Sequence, residues 1–361
     1  MNIPANQFHL VYLVIVTLLT IGTLGNYSKW YKWELPHKAY SFVVKALAAT
    51  LAVWIGFRPI NHIFVDTMNY YDHYHYLYYG IPFEFKWEMT NYIFDNLLQW
   101  MASQMMDITY FFLIIAVVYF GFMAWACLKV FPQDALLAFL MYLGAFSTFS
   151  YGTNGIKAGA AASVFLVALA YRNNLKIAIP LLWMSLGFHH SMAAPIAAFI
   201  AAWFIKKPKW YLYGWIVCLL LAAAHITWFM TLFAGFTDEL GAAYLQADNV
   251  EKSVTGFRPD FILYSAVPIV LGYYLLSTKR IMSKEYRFLW CVYTLTNAVF
   301  LLCTYGDYIN RIAYLSWLMY PFVLLYPFVK SQWVKRQDRY LRYVVYGHLA
   351  FTLFMSFIYY A

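Results

Sequence analysis

Charged side chains are scarce in this sequence. Asp, Glu, Lys and Arg make up 11% of its 361 residues, whereas hydrophobic residues make up 63%. Because soluble domains carry about 25% charged residues, the composition excludes an ordinary soluble protein and predicts one that is embedded in a membrane. The sequence also lacks a Gly-rich phosphate loop, an HExxH pair and a CxxC motif. The usual motifs of nucleotide and zinc chemistry are therefore absent.

The four cysteines are also few, and all fall inside apolar stretches without paired spacing. We expect them to be buried thiols, since free cysteine behaves as a small apolar side chain and no spacing indicates disulfides or metal ligands.

Apolar stretches recur along the whole chain. A span needs about 20 mostly apolar residues, so the sequence predicts one all-α transmembrane domain over residues 1–361, a polytopic integral membrane protein with about twelve transmembrane helices. The expected spans are 8–25, 40–57, 109–130, 134–151, 156–171, 175–189, 191–205, 210–232, 260–277, 287–304, 311–329 and 341–360. Some are short, which indicates tilted or partly re-entrant segments around residues 175–205.

Lys and Arg concentrate in alternate connections. The basic connections are 26–39, 172–176, 206–209, 278–287 and 330–342, and the positive-inside rule predicts that they face the cytoplasm. Most acids lie in the connections 58–108 and 233–259, which we expect outside, together with both termini. The first of these contains an amphipathic stretch from Glu88 to Met106, which is typical of an interfacial helix. The net charge of +9 therefore indicates topology and attraction to anionic lipids, and no nucleic-acid partner is expected.

Cationic and imidazole side chains also occur on the expected outer face. Charge near hydrocarbon depth is costly, so these residues are candidates for contact with an anion. They are Arg58, Lys157, His189, His190, Arg258 and Arg311.

Each candidate has a simpler structural interpretation. Arg58 could form an ion pair with Asp66, eight residues later, and Lys157 could extend its ammonium group towards the lipid headgroups. Asp260 and Asp307 could neutralise the neighbouring arginines, and a histidine at the end of a span could be a satisfied polar residue. The aromatic run Tyr70–Tyr79 could anchor the chain at the interface, stack on a sugar ring or line a lipid groove.

The functional interpretation depends on convergence. Arg58, Lys157, Arg258 and Arg311 come from separate outer connections, and only helix packing can bring them together. Several arginines around one cavity suit a diphosphate far better than a neutral ligand. Asp66 or His190 could then act as a base, since both can accept a proton near neutral pH.

Several motifs together resemble a known family. These are Gly56-Phe-Arg58 followed by Asp66 and Tyr70, then Asn154-Gly-Ile-Lys157, the pair His190-Ser191 and the pair Asn310-Arg311. In order and membrane side they are similar to the EpsG-like, Wzy-type polysaccharide polymerases. That family usually has Asn-x-x-Arg-Gln where this chain has Asn154-Gly-Ile-Lys157-Ala158. Lysine keeps the charge but loses the bidentate fork.

The resemblance implies a bacterial inner-membrane enzyme with a fold like that of GT-C-type membrane glycosyltransferases. It would join oligosaccharide repeat units on undecaprenyl diphosphate into O-antigen or capsule chains at the periplasmic face. The expected partners are the lipid-linked oligosaccharide, as donor and acceptor, the lipid bilayer and a chain-length regulator protein, and no cofactor is expected.

The site residues follow from this chemistry. Arg58, Lys157, Arg258 and Arg311 would neutralise the departing diphosphate, and Asp66 or His190 would deprotonate the acceptor hydroxyl. The substrate-binding set is completed by Asn154, Tyr70 and Asn310. No metal is required if the cations suffice, although Asp66 and Asp72 could equally hold a divalent cation.

Other functions remain open from the sequence. A lipid-linked monosaccharide glycosyltransferase would be sensitive to EDTA if a carboxylate of the first outer connection held a metal. A lipid-linked oligosaccharide flippase or transporter would place polar residues at the midplane and show symmetry between halves, and neither feature is evident. A membrane acyltransferase with a histidine in a span is a further alternative.

Overall fold

The computed structural model describes residues 3–32, 37–234 and 257–359. These residues form helices and no strands, as the all-α prediction requires. The chain divides into two compact units, Met1–His189 with Asp338–Ala361, and His190–Gln337. The first unit is therefore discontinuous in sequence. The prediction of one domain over the whole chain stays a prediction.

The first unit contains nine helices in the part of residues 1–189 that the structure describes. They are α1 Phe8–Lys32, α2 His37–Gly56, α3 Val65–His73, α4 Tyr92–Ser103, α5 Ile108–Val130, α6 Ala135–Leu143, α7 Thr148–Thr153, α8 Ile156–Ala170 and α9 Leu175–Phe188. Helix α5 is central, since it packs on α2 and α8, and α8 packs on α9. A π-helical turn, Tyr74–Tyr78, extends α3.

The second unit is built around one long helix. Its helices are α10 Ala193–Phe204, α11 Pro208–Ala223, α12 Trp228–Ala234, α13 Pro259–Ser277, α14 Lys284–Leu302, α15 Ile309–Trp317 and α16 Tyr320–Lys330. Helix α14 packs against α10, α11 and α15. Its buried Asn297 accepts a hydrogen bond from Trp215 (2.7 Å) and donates one to Ser316 (3.0 Å). Buried polar groups in an apolar core are costly unless paired, and this chain of bonds fixes how the three helices meet.

The last helix, α17 Gln337–Phe354, returns to the first unit. Its side chains donate hydrogen bonds at the break between α6 and α7, where carbonyl oxygens lack a helical N–H partner. His348 Nε2 donates to Met141 O (3.0 Å), and Thr352 donates to Gly144 O (2.6 Å). From α1, Tyr12 donates to Leu143 O (2.8 Å). Side chains from both ends of the chain thus replace the missing backbone bonds.

Several expected spans are interrupted in this way. Residues 134–151 form α6 and α7, residues 210–232 fall on α11 and α12, and residues 311–329 fall on α15 and α16. In the described residues, five helical segments are long and apolar enough to cross a membrane, Ala5–Gly25, Ile108–Val130, Pro259–Ser277, Ile309–Lys330 and Gln337–Tyr359. Shorter apolar helices cover Ser41–Gly56, Ile156–Ala170, Leu175–Phe188, His190–Phe204 and Pro208–Ala223. The described residues therefore form the apolar helices of a membrane protein, and the number of twelve spans stays a prediction.

The two expected outer connections differ in what the structure describes. Within 58–108 lie α3, the π-helical turn and α4, so a helix does occupy the amphipathic stretch. Asn96 on α4 holds residue 86 at both backbone groups, accepting from Lys86 N and donating to Lys86 O (2.8 Å each). This pins the preceding loop to α4. Most of the connection 233–259, residues 235–256, lies outside the described residues.

Candidate functional site

Arg58 is the most deeply buried cation among the described residues. Gly56 ends α2 in close contact with α5, where a Cβ would lie 2.7 Å from the Cα of Leu113. This close approach places the side chain of Arg58 against α5. Its side chain is 1% exposed, and its guanidinium carbon lies 4.5 Å from the centre of the Phe112 ring. Burial lowers the pKa of Arg58 to about 9, with Tyr70 acting in the opposite direction. The guanidinium therefore stays charged at neutral pH.

The hydrogen-bond partners of Arg58 are neutral. Nε and Nη2 both donate to the hydroxyl of Thr67 (3.1 and 2.7 Å), and Nη1 donates to Ile55 O (3.1 Å). Among the described residues no carboxylate forms an ion pair with it, so the ion pair with Asp66 that the sequence offered is not formed. Thr67, the next residue, takes that place. A buried cation held only by neutral oxygens and rings keeps a strong demand for an anion.

Thr67 joins three segments of the first unit. It is fully buried on α3, accepts from Arg58 and donates to Thr153 O at the end of α7 (3.0 Å). The neighbouring Asp66 lies in the first turn of α3 and is partly exposed. Asp66 therefore directly precedes the residue that holds Arg58.

Lys157 lies in the first turn of α8 and contacts α4. Its ammonium group is 2.9 Å from Asp95 Oδ1 and 4.9 Å from the centre of the Phe94 ring. Tyr70 of α3 packs on the same Phe94 ring, with centroids 5.3 Å apart. Thr67 thus joins Arg58 to Thr153, and the Phe94 ring joins Tyr70 to the Lys157–Asp95 pair. These contacts gather five candidates around α3, α4, α7 and α8, namely Arg58, Asp66, Tyr70, Asn154 and Lys157. We call this set, with Thr67 and Asp95, the α3–α8 cluster.

Two glycines on either side of Lys157 allow close packing at the start of α8. A Cβ at Gly155 would lie 2.8 Å from the Tyr151 ring, and one at Gly159 would overlap the Tyr151 carbonyl oxygen. Both glycines therefore allow α8 to begin in close contact with Tyr151 of α7. Asn154 ends α7, and its Oδ1 is buried without a hydrogen-bond partner among the described residues. This oxygen is an available acceptor beside the cluster, of the kind that a ligand hydroxyl would satisfy.

The aromatic run has a structural role at two positions. The hydroxyl of Tyr74 donates to Met106 O (2.8 Å), and that of Tyr79 donates to Met105 O (3.2 Å). These bonds tie the turn after α3 to the loop before α5. Tyr76 is 81% exposed, and the choice between membrane anchoring and ligand stacking for it stays open.

The remaining candidates belong to the second unit, apart from His189, which ends α9 in the first. Arg258 precedes α13 and forms a fork with both oxygens of Asp260, with Nε 2.8 Å from Oδ1. The local neutralisation that the sequence allowed for Arg258 is therefore formed. Arg311 is exposed and lies over the Tyr308 ring at 5.0 Å. His190 begins the short turn before α10, and Asn310 lies in the first turn of α15.

The structure thus gathers the first-unit candidates other than His189, whereas their convergence with His190, Arg258, Asn310 and Arg311 stays a prediction. In the described part of the chain, no three His, Cys, Asp or Glu side chains are placed to hold a metal ion. Sequence reasoning missed Thr67 and Asp95. Two signals were available, and neither is specific. One is the spacing between Arg58 and Thr67 across a proline-containing turn, and the other is the acidic position in a helix opposite Lys157.

The comparisons with known proteins agree with the motifs. The model of the EpsG family matches residues 42–361, nearly the whole chain and including every candidate residue. No curated protein and no solved structure matches the sequence. This membrane protein is polysaccharide polymerase-like and belongs to the EpsG family.

Proposed function

We propose that the protein is a glycosyltransferase that joins oligosaccharide repeat units carried on undecaprenyl diphosphate. In this proposal the chain crosses the bacterial inner membrane about twelve times, with a fold like that of GT-C-type enzymes. The α3–α8 cluster faces the periplasm, and the product is an O-antigen or capsule chain. The lipid-linked oligosaccharide serves as donor and acceptor, and a chain-length regulator protein is a further partner.

The observation that carries the proposal is the buried charge of Arg58 in the α3–α8 cluster. Arg58 is buried against neutral groups, and Lys157 is offset by one partly exposed carboxylate. A buried guanidinium without an ion pair favours an anionic ligand, and a diphosphate leaving group is one. Because Arg58 is 1% exposed, it would act through its field beneath α3, while the more exposed Lys157 would make the direct contact.

The reaction needs few groups. A base takes the proton from the acceptor sugar hydroxyl as that oxygen bonds to the anomeric carbon of the donor, and the bond from that carbon to the diphosphate breaks. The cations stabilise the charge that develops on the departing undecaprenyl diphosphate. We assign Asp66 as the orienting or proton-accepting carboxylate and His190 as a contributing base. Asn154, Tyr70 and Asn310 would position the sugars, and Arg258 and Arg311 enter this proposal from the sequence alone.

The test uses a deletion strain and the purified enzyme. Loss of polymerisation leaves a single repeat unit on the lipid A core or carrier, whereas loss of flipping leaves none. Purified wild-type protein in lipid nanodiscs should elongate undecaprenyl-diphosphate oligosaccharide with EDTA present. Activity abolished by EDTA and restored by a divalent cation would instead favour the metal-dependent monosaccharide transferase.

Sidedness is tested separately by cysteine labelling in a variant without the native cysteines. Glu88→Cys should react with an impermeant maleimide in cells whose outer membrane is permeabilised, and Gln332→Cys should react only after lysis. Both side chains are exposed in the structure. The reverse labelling would place the α3–α8 cluster on the cytoplasmic side and overturn the proposal.

A further inference from the structure

The ion pair between α4 and α8 differs from the pair formed by Arg258 and Asp260. Lys157 and Asp95 have side chains that are 20% and 27% exposed, and one pair of atoms, Nζ and Oδ1, joins them at 2.9 Å. Arg258 and Asp260, by contrast, share two bonds and are two residues apart. Asp95 reaches Lys157 across 62 positions of sequence. The pair is therefore accessible to solvent and singly bonded.

Such a pair is easily exchanged. Partly exposed lysine–carboxylate pairs contribute at most about a fivefold factor to an equilibrium, because both partners remain well solvated when apart. A diphosphate carries more charge than one carboxylate and offers more acceptor oxygens to an ammonium group. The first turn of α8 adds the positive end of a helix dipole at the same place. A diphosphate can thus outcompete Asp95 for Lys157.

The rest of α4 does not need to move for this exchange. Tyr92 donates to Trp183 O of α9 (3.2 Å), and Asn96 holds the backbone of residue 86. A Cβ at Gly187 would lie 2.6 Å from the Tyr92 ring, so α4 and α9 are in close contact there. Only the short side chain of Asp95 has to rotate away from Lys157.

We propose that Asp95 is the resident counter-ion of Lys157 and that the diphosphate of the lipid-linked donor displaces it. This rests on the proposed function and names a new positioning residue at that site. Asp95 holds the lysine over the Phe94 ring in the unliganded protein and lowers its attraction for singly charged anions. The affinity of the site is therefore set by competition, and removal of Asp95 strengthens diphosphate binding.

The experiment measures inorganic pyrophosphate binding by calorimetry and as competitive inhibition of elongation, with purified protein in nanodiscs. Asp95→Asn keeps the shape of the side chain and should tighten pyrophosphate binding about two- to fivefold. Lys157→Gln should weaken binding, and in that background Asp95→Asn should have no further effect. Glu88→Gln is the control, because it removes an exposed carboxylate from the same connection.

A purely structural role for the pair predicts a different pattern. Asp95→Asn that weakens pyrophosphate binding, leaves it unchanged, or matches the Glu88→Gln control would overturn the counter-ion proposal. A tightening that persists in the Lys157→Gln background would also overturn it. Failure of the wild-type protein to elongate oligosaccharide, with pyrophosphate binding intact, would remove the polymerase and leave the binding comparison to decide the role of Asp95.

Discussion

The hydroxyl of Thr67 uses its full hydrogen-bonding capacity on Arg58 and the end of α7. It accepts from Nε and Nη2 of Arg58 at 3.1 and 2.7 Å and donates to Thr153 O at 3.0 Å. A hydroxyl has one proton to donate and two lone pairs, so these bonds leave no spare capacity. The position of the buried charge therefore depends on one small neutral side chain.

Thr67→Val should disrupt this arrangement while keeping the side-chain shape. Loss of the hydroxyl leaves two N–H groups of a charged guanidinium unpaired, and hydrogen bonds to charged groups contribute about 1.5–3 kcal/mol. We expect the free energy of unfolding in detergent to fall by about 2–3 kcal/mol and polymer synthesis to be lost. Thr67→Ser restores the hydroxyl and should retain most of both. Equal stability of the valine and serine variants would show that Thr67 does not hold Arg58.

Arg311→Ala should abolish long polymer without affecting folding, because Arg311 is exposed. Loss of one donor to developing negative charge typically lowers kcat about a hundredfold or more. Arg280→Ala is a matched control, since Arg280 is also exposed and lies over a tyrosine ring, Tyr274, at 5.1 Å. Arg280 lies in a connection that we expect to be cytoplasmic. The Arg280→Ala variant should therefore make polymer of normal length.

Arg58→Ala and Arg258→Ala belong to the same experiment. We expect each to lose long polymer while the protein is still inserted and expressed. Wild-type ladders from two of the three arginine variants would contradict a shared anion site.

The activities of two variants distinguish Asp66 from His190 as the base. If Asp66 is the base, Asp66→Asn eliminates turnover and His190→Gln leaves measurable activity, because the asparagine keeps size and hydrogen bonding but cannot accept the proton. If His190 is the base, the ranking inverts, so that His190→Gln eliminates turnover and Asp66→Asn leaves measurable activity. Near wild-type turnover in both variants would remove both residues from the mechanism.

Asp107 gives a stability prediction with a definite sign. It precedes α5 and accepts from the hydroxyl and the backbone N–H of Thr109 (2.7 and 2.8 Å), which lower the pKa of Asp107 below its usual value. A carboxyl group with a lowered folded-state pKa contributes stability above its unfolded pKa of about 3.9 and loses it as pH falls through the folded value. Asp107→Ala should cost about 1 kcal/mol at neutral pH.

Asp107→Asn is the control, because asparagine can cap the helix but does not titrate. Its unfolding free energy should stay near wild type at neutral pH and lack the Asp107 contribution to the acid transition. An alanine variant as stable as wild type at pH 7 would show that the cap contributes nothing.

Composition and motif order were enough to predict an all-helical membrane protein of this family, because the cost of burying charge in hydrocarbon restricts where Lys and Arg occur. The interrupted helices were not predicted, since the apolar run through α6 and α7 continues without a proline. The bond between His348 and Met141 joins residues 207 positions apart, and no local pattern reports such a contact.

The Lys157–Asp95 pair shows the same limit at the candidate site. From the sequence, the charge of Lys157 and its position before an apolar run were visible, but its partner was one of several acids in a long connection. Only the packing of α4 against the bundle selects Asp95. By contrast, the Arg258–Asp260 fork was foreseeable, because the partners are only two positions apart.

The return of α17 to the first unit sets an order of assembly. The ribosome completes residues 190–337 before it makes His348 and Thr352, so the carbonyl oxygens of Met141 and Gly144 must wait for the end of the chain. The first half made is thus the last to mature. A protein that stops short of residue 348 would have unpaired carbonyl groups within the first unit, and we expect membrane quality-control proteases to degrade it even though every residue of the α3–α8 cluster is present.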